Sequence, residues 1–360
     1  MKINRIGIQG FKSIGNQTVD LAPINILIGG NGIGKTNFIS ALELLRNIYD
    51  RQLQKYVIEH GGAGSLLHLG RKVTSDIGLD IEIESHDGNR NRYIVNLSES
   101  QDTLYISRTR TSFFNGAWHD QDCDANVLEA TINTDRMGQA YYVGPLLNQF
   151  RVHHFHDAGA ASPIKGVKPL NDNRFLYSDG SNIAPFLYYV KLTHPDVFDL
   201  IEKTIASVTP FFKAFSLEPD RINPEMIRLA WFHTMGGEQL FNDWQLSDGT
   251  LRFICLTALL LQPVPPDVII IDEPELGLHP QAINKLSSMI KRASKKSQII
   301  ISTQSVGLVD NFAPEDIIVV DKQNASSVYR RLNSNELSRW LTEYSLGEIW
   351  EMNVFGGQPL

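Results

Sequence analysis

Residues 24–49, INILIGGNGIGKTNFISALELLRNIY, constrain this chain more than any other stretch. Positions 24–28 form a short, almost wholly apolar run and read as a buried strand. Positions 36–49 place Phe38, Leu42 and Leu45 on one helical face. Between them, GGNGIGKT fits G-x-x-x-x-G-K-[ST], the loop whose backbone N–H groups turn inward on a phosphate. Gly29, Gly32 and Gly34 supply backbone angles that a side chain would forbid. Lys35 is expected to reach the β- and γ-phosphates, and Thr36 to set its hydroxyl on Mg²⁺. Asn31 and Asn37 are counted with the same cofactor-binding set. The helix N-terminus adds partial positive charge beneath the phosphates. A nucleoside triphosphate is the implied ligand.

A second stretch, VIIIDEPELGLHP at 268–280, supplies what such a loop needs. Four apolar residues, then Asp272, read as a buried strand ending in a carboxylate. Asp272 and Glu273 are adjacent, so they leave the strand tip in different directions. One can support a metal through its water shell while the other faces an attacking water. A third piece, LSDGT at 246–250, opens an apolar helix over 252–261. Ser247 and Gly249 there make another anion-binding helix start.

Composition narrows the class. The 360 residues, 42% hydrophobic and 20% charged, suit one elaborated domain or two in a soluble globular protein. A net charge of −7 argues against a generally basic nucleic-acid binder and leaves only local patches. Two cysteines, Cys123 and Cys255, have no close partner and read as free thiols of a reducing compartment. No apolar run reaches the length of a membrane span, and residues 1–10 do not read as a signal peptide. A cytoplasmic location without membrane contact is the expectation.

Taken in order, residues 1–21 read as two strands around a Gly-Phe-Lys-Ser turn, which could bring Lys12 to the ribose or a phosphate. The alternation of Ile77, Leu79, Ile81 and Ile83 continues through 93–97 and 104–108 as an antiparallel meander. Arg90, Arg92, Arg108 and Arg110 are read as solvated strand edges rather than a nucleic-acid patch. HHFHD at 153–157 lacks the spaced four-ligand pattern of a zinc site and is not assigned one. Two helices, over 183–191 and 195–208, suggest an inserted lid or arm. Beyond the strand Gln298–Thr303, a further strand is expected at 316–321. A helix over 333–344 would carry Leu337, Trp340, Leu341 and Tyr344 on one face. Trp350 and Phe355 are expected to pack.

Together, GFKSI, GGNGIGKTN, LSDGT, VIIIDEPELGLHP, IIISTQS and SLGEIWEMNVFGGQP resemble the ATP-binding-cassette ATPases of the RecF/SMC/OLD type. More narrowly, they resemble the compact bacterial AAA-like "predicted ATPase" group. The resemblance implies an α/β fold of the ABC-type P-loop NTPases: a mixed sheet, the antiparallel β meander and an inserted helical lid or arm. It implies a division into 1–149 (first ATPase lobe), 150–240 (insertion), 241–325 (second lobe) and 326–360 (C-terminal helix and tail). ATP and Mg²⁺ would be the cofactors, with Thr36 and Asp272 toward the metal and Glu273 as base. Ser247 and Gly249 would cap the γ-phosphate of ATP held by a second subunit, giving an ATP-dependent homodimer whose interface residues 275–280 cross. Gln304 stands where many relatives carry a switch histidine, which implies slow turnover with little pH dependence near neutrality. Asp248 replaces a signature glycine. The lid-coupling glutamine has two candidates, Gln139 and Gln149. The chain ends without an OLD-type nuclease domain, so the resemblance points to a separately encoded nuclease, toxin or other effector partner in phage defence. A RecF/SMC-like DNA-binding ATPase of repair or maintenance is the alternative. A transporter motor fits the meander and the insertion poorly.

Overall fold

The computed structural model describes residues 1–134, 140–155, 159 and 162–357. The chain divides into two compact units. The first comprises Met1–Val152, Pro266–Ile270 and Ser297–Leu360; the second comprises His153–Pro265 and Ile271–Lys296.

Unit 1 opens with β1 (Lys2–Phe11), β2 (Ile14–Asp20) and β3 (Ile24–Ile28), followed by α1 (Lys35–Tyr49), α2 (Leu53–Glu59) and α3 (Ala63–Leu66). The meander is β4 (Asp76–Glu84), β5 (Arg90–Ser100), β6 (Thr103–Phe114) and β7 (Trp118–Asp122), and α4 (Ala140–Leu147) precedes the short β8 (Val152–His153). The first sheet runs β2-β1-β4-β5-β6-β7 and is antiparallel throughout. Ile3, Ile6 and Ile8 are all buried although the step from 3 to 6 breaks a two-residue period. A bulge at Asn4 explains it: Ile3 faces Ile83 while Arg5 faces Glu82, so one extra residue restores the inward face. The outward face of the meander is a ladder of ion pairs. Arg90 meets Glu82, Arg92 meets Asp80, and Arg108 and Arg110 share Asp122, with Asp120 as a second partner of Arg110.

The second sheet runs β17-β16-β3-β15-β14-β8, with β14 at Val268–Asp272, β15 at Gln298–Thr303, β16 at Ile317–Gln323 and β17 at Ser326–Arg331. β3 lies between β15 and β16, parallel to both, whereas β17 is antiparallel to β16; the sheet is mixed. Phe38, Leu42 and Leu45 of α1, Ile81 of β4 and Ile300 of β15 join one continuous buried cluster. Each such fully buried side chain contributes about 1.5–3 kcal/mol against exposure. After β15 comes α9 (Val306–Val309), and the tail holds α10 (Ser334–Leu337) and α11 (Leu346–Glu351). The expected helix over 333–344 is therefore corrected. Regular helix stops at Leu337, turns follow, and Trp340 and Tyr344, 40% and 38% exposed, pack on each other at 6.0 Å. Trp350 and Phe355 are buried, as expected.

Unit 2 contains the helical pair, α5 (Ile183–Thr193) and α6 (Pro195–Ala206), and in addition small sheets. β9 (Val167–Pro169) pairs with β11 (Met226–Arg228), while β10 (Phe212–Phe215), β12 (Ala230–His233) and β13 (Leu240–Asn242) form a three-stranded sheet. Aromatic packing holds the latter: Trp231 is buried, with its ring centroid 5.0 Å from that of Phe241. α7 (Asp248–Leu261) is buried almost all round, and α8 (Pro280–Ala293) packs beside it. Among the described residues no helix is long and apolar enough to cross a membrane.

Candidate nucleotide site

In unit 1 the loop after β3 adopts the backbone its glycines anticipate. Gly29, Gly32 and Gly34 have φ of 151°, 71° and 122°. A Cβ on Gly29 would meet the Ile33 side chain at 2.2 Å, and one on Gly34 would meet Ser327 Oγ at the same distance. At Gly32 nothing lies within 4 Å, so this edge of the loop is open. Lys35 is the first residue of α1, only 5% exposed, and its Nζ donates to the carbonyls of Gly29 and Gly30 at 2.6 and 2.9 Å. Gly34 caps α1 without a side-chain bond, and no acidic residue stands in the first turn. The helix start therefore directs its first-turn N–H donors and undiluted positive potential at the loop. Asn31 and Thr36 are exposed there.

Side chains far away in sequence hold this loop, and these the motif does not show. Asn37 Nδ2 donates to Ser13 Oγ at 2.7 Å, Ser13 and Ser327 hydroxyls are 2.6 Å apart, and Ser327 Oγ donates to the Ile33 carbonyl at 2.5 Å. The carbonyl only accepts, so Ser327 spends its single proton on it and Ser13 must donate to Ser327. The Tyr329 hydroxyl donates to the Gly34 carbonyl at 2.8 Å, and burial pushes its pKa well up, keeping it a donor. The turn between β1 and β2 thus abuts the loop through Ser13. Lys12 has φ 49°, stands over the Phe11 ring at 5.4 Å, and its ammonium pKa is lowered by burial, opposed by Glu43.

β14 passes from unit 1 into unit 2 between Ile270 and Ile271. Asp272, at its end, is 9% exposed, and His154 Nδ1 lies 3.7 Å from its Oδ2. Glu273 follows with φ 45°, directly before Pro274. A non-glycine residue in that region, ahead of a proline, is strained by about 1–3 kcal/mol, and such strain gathers at functional sites. Gln304 is exposed and follows β15, the strand between β3 and β14 in the sheet order. Gln149, one of the two lid-coupling candidates, is bonded in both directions to Asp267 at the start of β14. Gln139, His156 and Asp157 lie outside the described residues. Among the described residues no cluster of three metal-ligating side chains occurs.

Also in unit 2, Ser247 caps α7, its Oγ accepting from Thr250 N at 3.2 Å. Asp248 is turned toward Lys165 Nζ, 3.6 Å away, so its carboxylate has a cation. Gly249 is pressed against the loop after β14: a Cβ there would stand 2.5 Å from the Gly277 carbonyl oxygen. Arg252 Nη1 donates to the Leu276 carbonyl at 2.7 Å. A cavity of about 160 Å³ lies between the start of α7 and Gly277–His279.

The AAA_21 family model, described as "AAA domain, putative AbiEii toxin, Type IV TA system", matches residues 24–310. The chain belongs to the AAA_21 family. This AAA_21 protein is similar to the DNA replication and repair protein RecF of Acidothermus cellulolyticus, 32% identical over 27% of the chain and 26% of the relative. It is similar to the energy-coupling factor transporter ATP-binding protein EcfA2 of Streptococcus agalactiae, 30% identical over 28% of the chain and 36% of the relative. It also matches the structural maintenance of chromosomes protein 3 of Saccharomyces cerevisiae, 31% identical over 30% of the chain and 9% of that protein. The matched segments are well under two thirds of these relatives. Among solved structures, the SmcHead bound to the C-winged helix domain of ScpA aligns with TM-score 0.63 at 16% identity, covering 94% of this chain and all of that one. An Smc head domain with an extended coiled coil, bound to the C-terminal domain of ScpA derived from Pyrococcus furiosus, aligns with TM-score 0.60 at 15% identity, covering 95% and 98%. The AAA_21 chain has the fold of the SMC heads and is similar over part of its length to RecF and SMC proteins.

Proposed function

We propose that this AAA_21 protein binds Mg-ATP, closes as a head-to-tail homodimer around two ATP molecules, and reopens on slow hydrolysis. The observation that carries the reading is the loop of three positive-φ glycines at the uncapped start of α1, with Lys35 at its base. The residues fit the cofactors: Gly32 leaves the loop edge open, and the Thr36 hydroxyl and Asp272 carboxylate are hard oxygen donors suited to Mg²⁺. When bound, Mg²⁺ neutralises charge on the phosphates.

In this reading Gly29, Gly32 and Gly34 aim backbone N–H groups at the phosphates, flanked by Asn31, Asn37 and Lys12, and Lys35 exchanges its carbonyl partners for phosphate oxygens. Glu273 accepts a proton from the attacking water, and Gln304 orients that water or the γ-phosphate by hydrogen bonding. Ser247 Oγ and the Gly249 N–H, at the start of α7, cap the γ-phosphate held by the other copy. Replacing Glu273 by Gln removes the base and should slow turnover by ~10²–10⁴.

The switch acts on a separately encoded effector, a nuclease or toxin of a defence system; the family description, which names a toxin and a toxin–antitoxin system, supports this. A second reading, a DNA-maintenance ATPase, draws on the RecF and SMC relatives and on the exposed cations Arg292, Lys295 and Lys296 at the end of α8. Light scattering of the Glu273→Gln protein tests the mechanism. The mass should double on adding Mg-ATP, and a mass that stays unchanged with and without duplex DNA would refute the closing dimer. Hydrolysis stimulated by DNA would move the role to the second reading.

A further inference from the structure

His154 belongs to a histidine-rich stretch that no nucleotide motif explains. β8 neighbours β14 at the edge of the mixed sheet, and His154 is the first residue beyond β8. Its neighbours fix where its ring can go. His153 and Phe155 on either side are buried with their rings 5.7 Å apart, and the His154 N–H donates to the Ser178 carbonyl at 2.9 Å. The backbone is pinned, so the half-exposed imidazole moves only about its own side-chain bonds. Nδ1 stands 3.7 Å from Asp272 Oδ2. Closing that gap by roughly 0.5–1 Å makes a hydrogen bond. An almost buried carboxylate requires polar partners, and an imidazole can hold one carboxylate oxygen through one ring nitrogen while the other ring nitrogen stays available.

We propose that His154 is a positioning residue for Asp272: it fixes the orientation of the metal-supporting carboxylate and so raises the affinity for metal-bound nucleotide. This rests on the reading of Asp272 as the residue that supports Mg²⁺.

The test measures how much Mg²⁺ strengthens binding of a fluorescent, non-hydrolysable ATP analogue to the full chain, as the ratio of dissociation constants in EDTA and in excess Mg²⁺. His154→Ala should lower that ratio by about 10-fold, the usual weight of a partner behind a metal ligand, and leave the EDTA value unchanged. His154→Gln keeps a donor and an acceptor and should restore the ratio to within about 3-fold. Asp272→Ala is the control for the underlying reading. If Asp272→Ala loses the Mg²⁺ gain and His154→Ala keeps it, the positioning role is overturned and the metal reading stands. If Asp272→Ala keeps the gain, both fall. Should His154→Ala weaken binding in EDTA as well, the His154→Gln ratio decides: restored, the role stands; lost, His154 is structural.

Discussion

The hydroxyl relay behind the phosphate loop makes an asymmetric prediction. Protons run in one direction, from Asn37 Nδ2 to Ser13, from Ser13 to Ser327, and from Ser327 to the Ile33 carbonyl. Ser327→Ala therefore strands two groups at once, the Ser13 proton and the Ile33 carbonyl, at a residue with no exposure. Leaving buried groups unsatisfied costs about 1–3 kcal/mol. For a folded unit of 150–250 residues that is a drop of about 2–12 °C in Tm. Ser13→Ala leaves Ser327 bonded to Ile33 and deprives only the Asn37 amide, a loss of about 0.5–1.5 kcal/mol. In the double variant the Ser13 hydroxyl that Ser327→Ala strands is itself removed, which offsets the loss of the Asn37 bond, so the double variant should cost nearly what Ser327→Ala costs alone. The coupling should be about 1 kcal/mol. Thermal melts of the four proteins, each with and without Mg-ATP, read both quantities, and the nucleotide-induced rise in Tm should shrink most in Ser327→Ala. Additive losses, or a Ser13→Ala loss equal to that of Ser327→Ala, would refute the donor order and the buttressing role.

Other consequences are as direct. Cys123 is exposed and Cys255 is buried with its thiol pKa pushed well up, so a thiol reagent should modify one cysteine per native chain and two in denaturant. Gly249→Ala drives a methyl group into the Gly277 carbonyl oxygen at 2.5 Å, backbone that cannot rotate away. ATP-dependent doubling of mass should be lost while binding of nucleotide to the monomer stays within about 3-fold, as checked by light scattering and titration. Hydrogen bonds from Arg108 and Arg110 hold Asp122 down to a pKa of about 2. Its folded pKa lies below the unfolded one, so its stabilising share is complete above the unfolded value near ~3.9 and disappears as pH falls through about 2. A carboxyl NMR titration should place its midpoint there, and a midpoint near 4 would mean that the ladder is open in solution.

The nucleotide motifs were legible because each is local. A strand, a glycine-rich turn and a helix start are written in a dozen consecutive residues, and the period of two in β4–β6 exposes the meander in the same way. What holds the loop was not legible: Ser13 and Ser327 meet across the chain, and a serine carries no signal of a distant partner. Strands of three or four residues, such as β9, β11 and β13, are too short for alternation to declare itself. The stripe of Leu337, Trp340, Leu341 and Tyr344 had helical spacing, yet only Leu337 is well buried, so nothing rewards a continuous helix there. Asn4 is the converse case, since only the bulge reconciles the spacing of Ile3 and Ile6 with one inward face.

Glu273 is held at φ 45° ahead of a proline, a posture in which glycine would be more at ease than any carboxylate-bearing residue. On the proposed role of Glu273 as base, thermal robustness and catalytic competence are opposed at this one codon. A Glu273→Gly chain would shed roughly 1 kcal/mol of backbone tension and lose the carboxylate proposed above to take a proton. On that same proposal, selection of this scaffold for heat tolerance alone, without an activity screen, would favour loss of the base at this position.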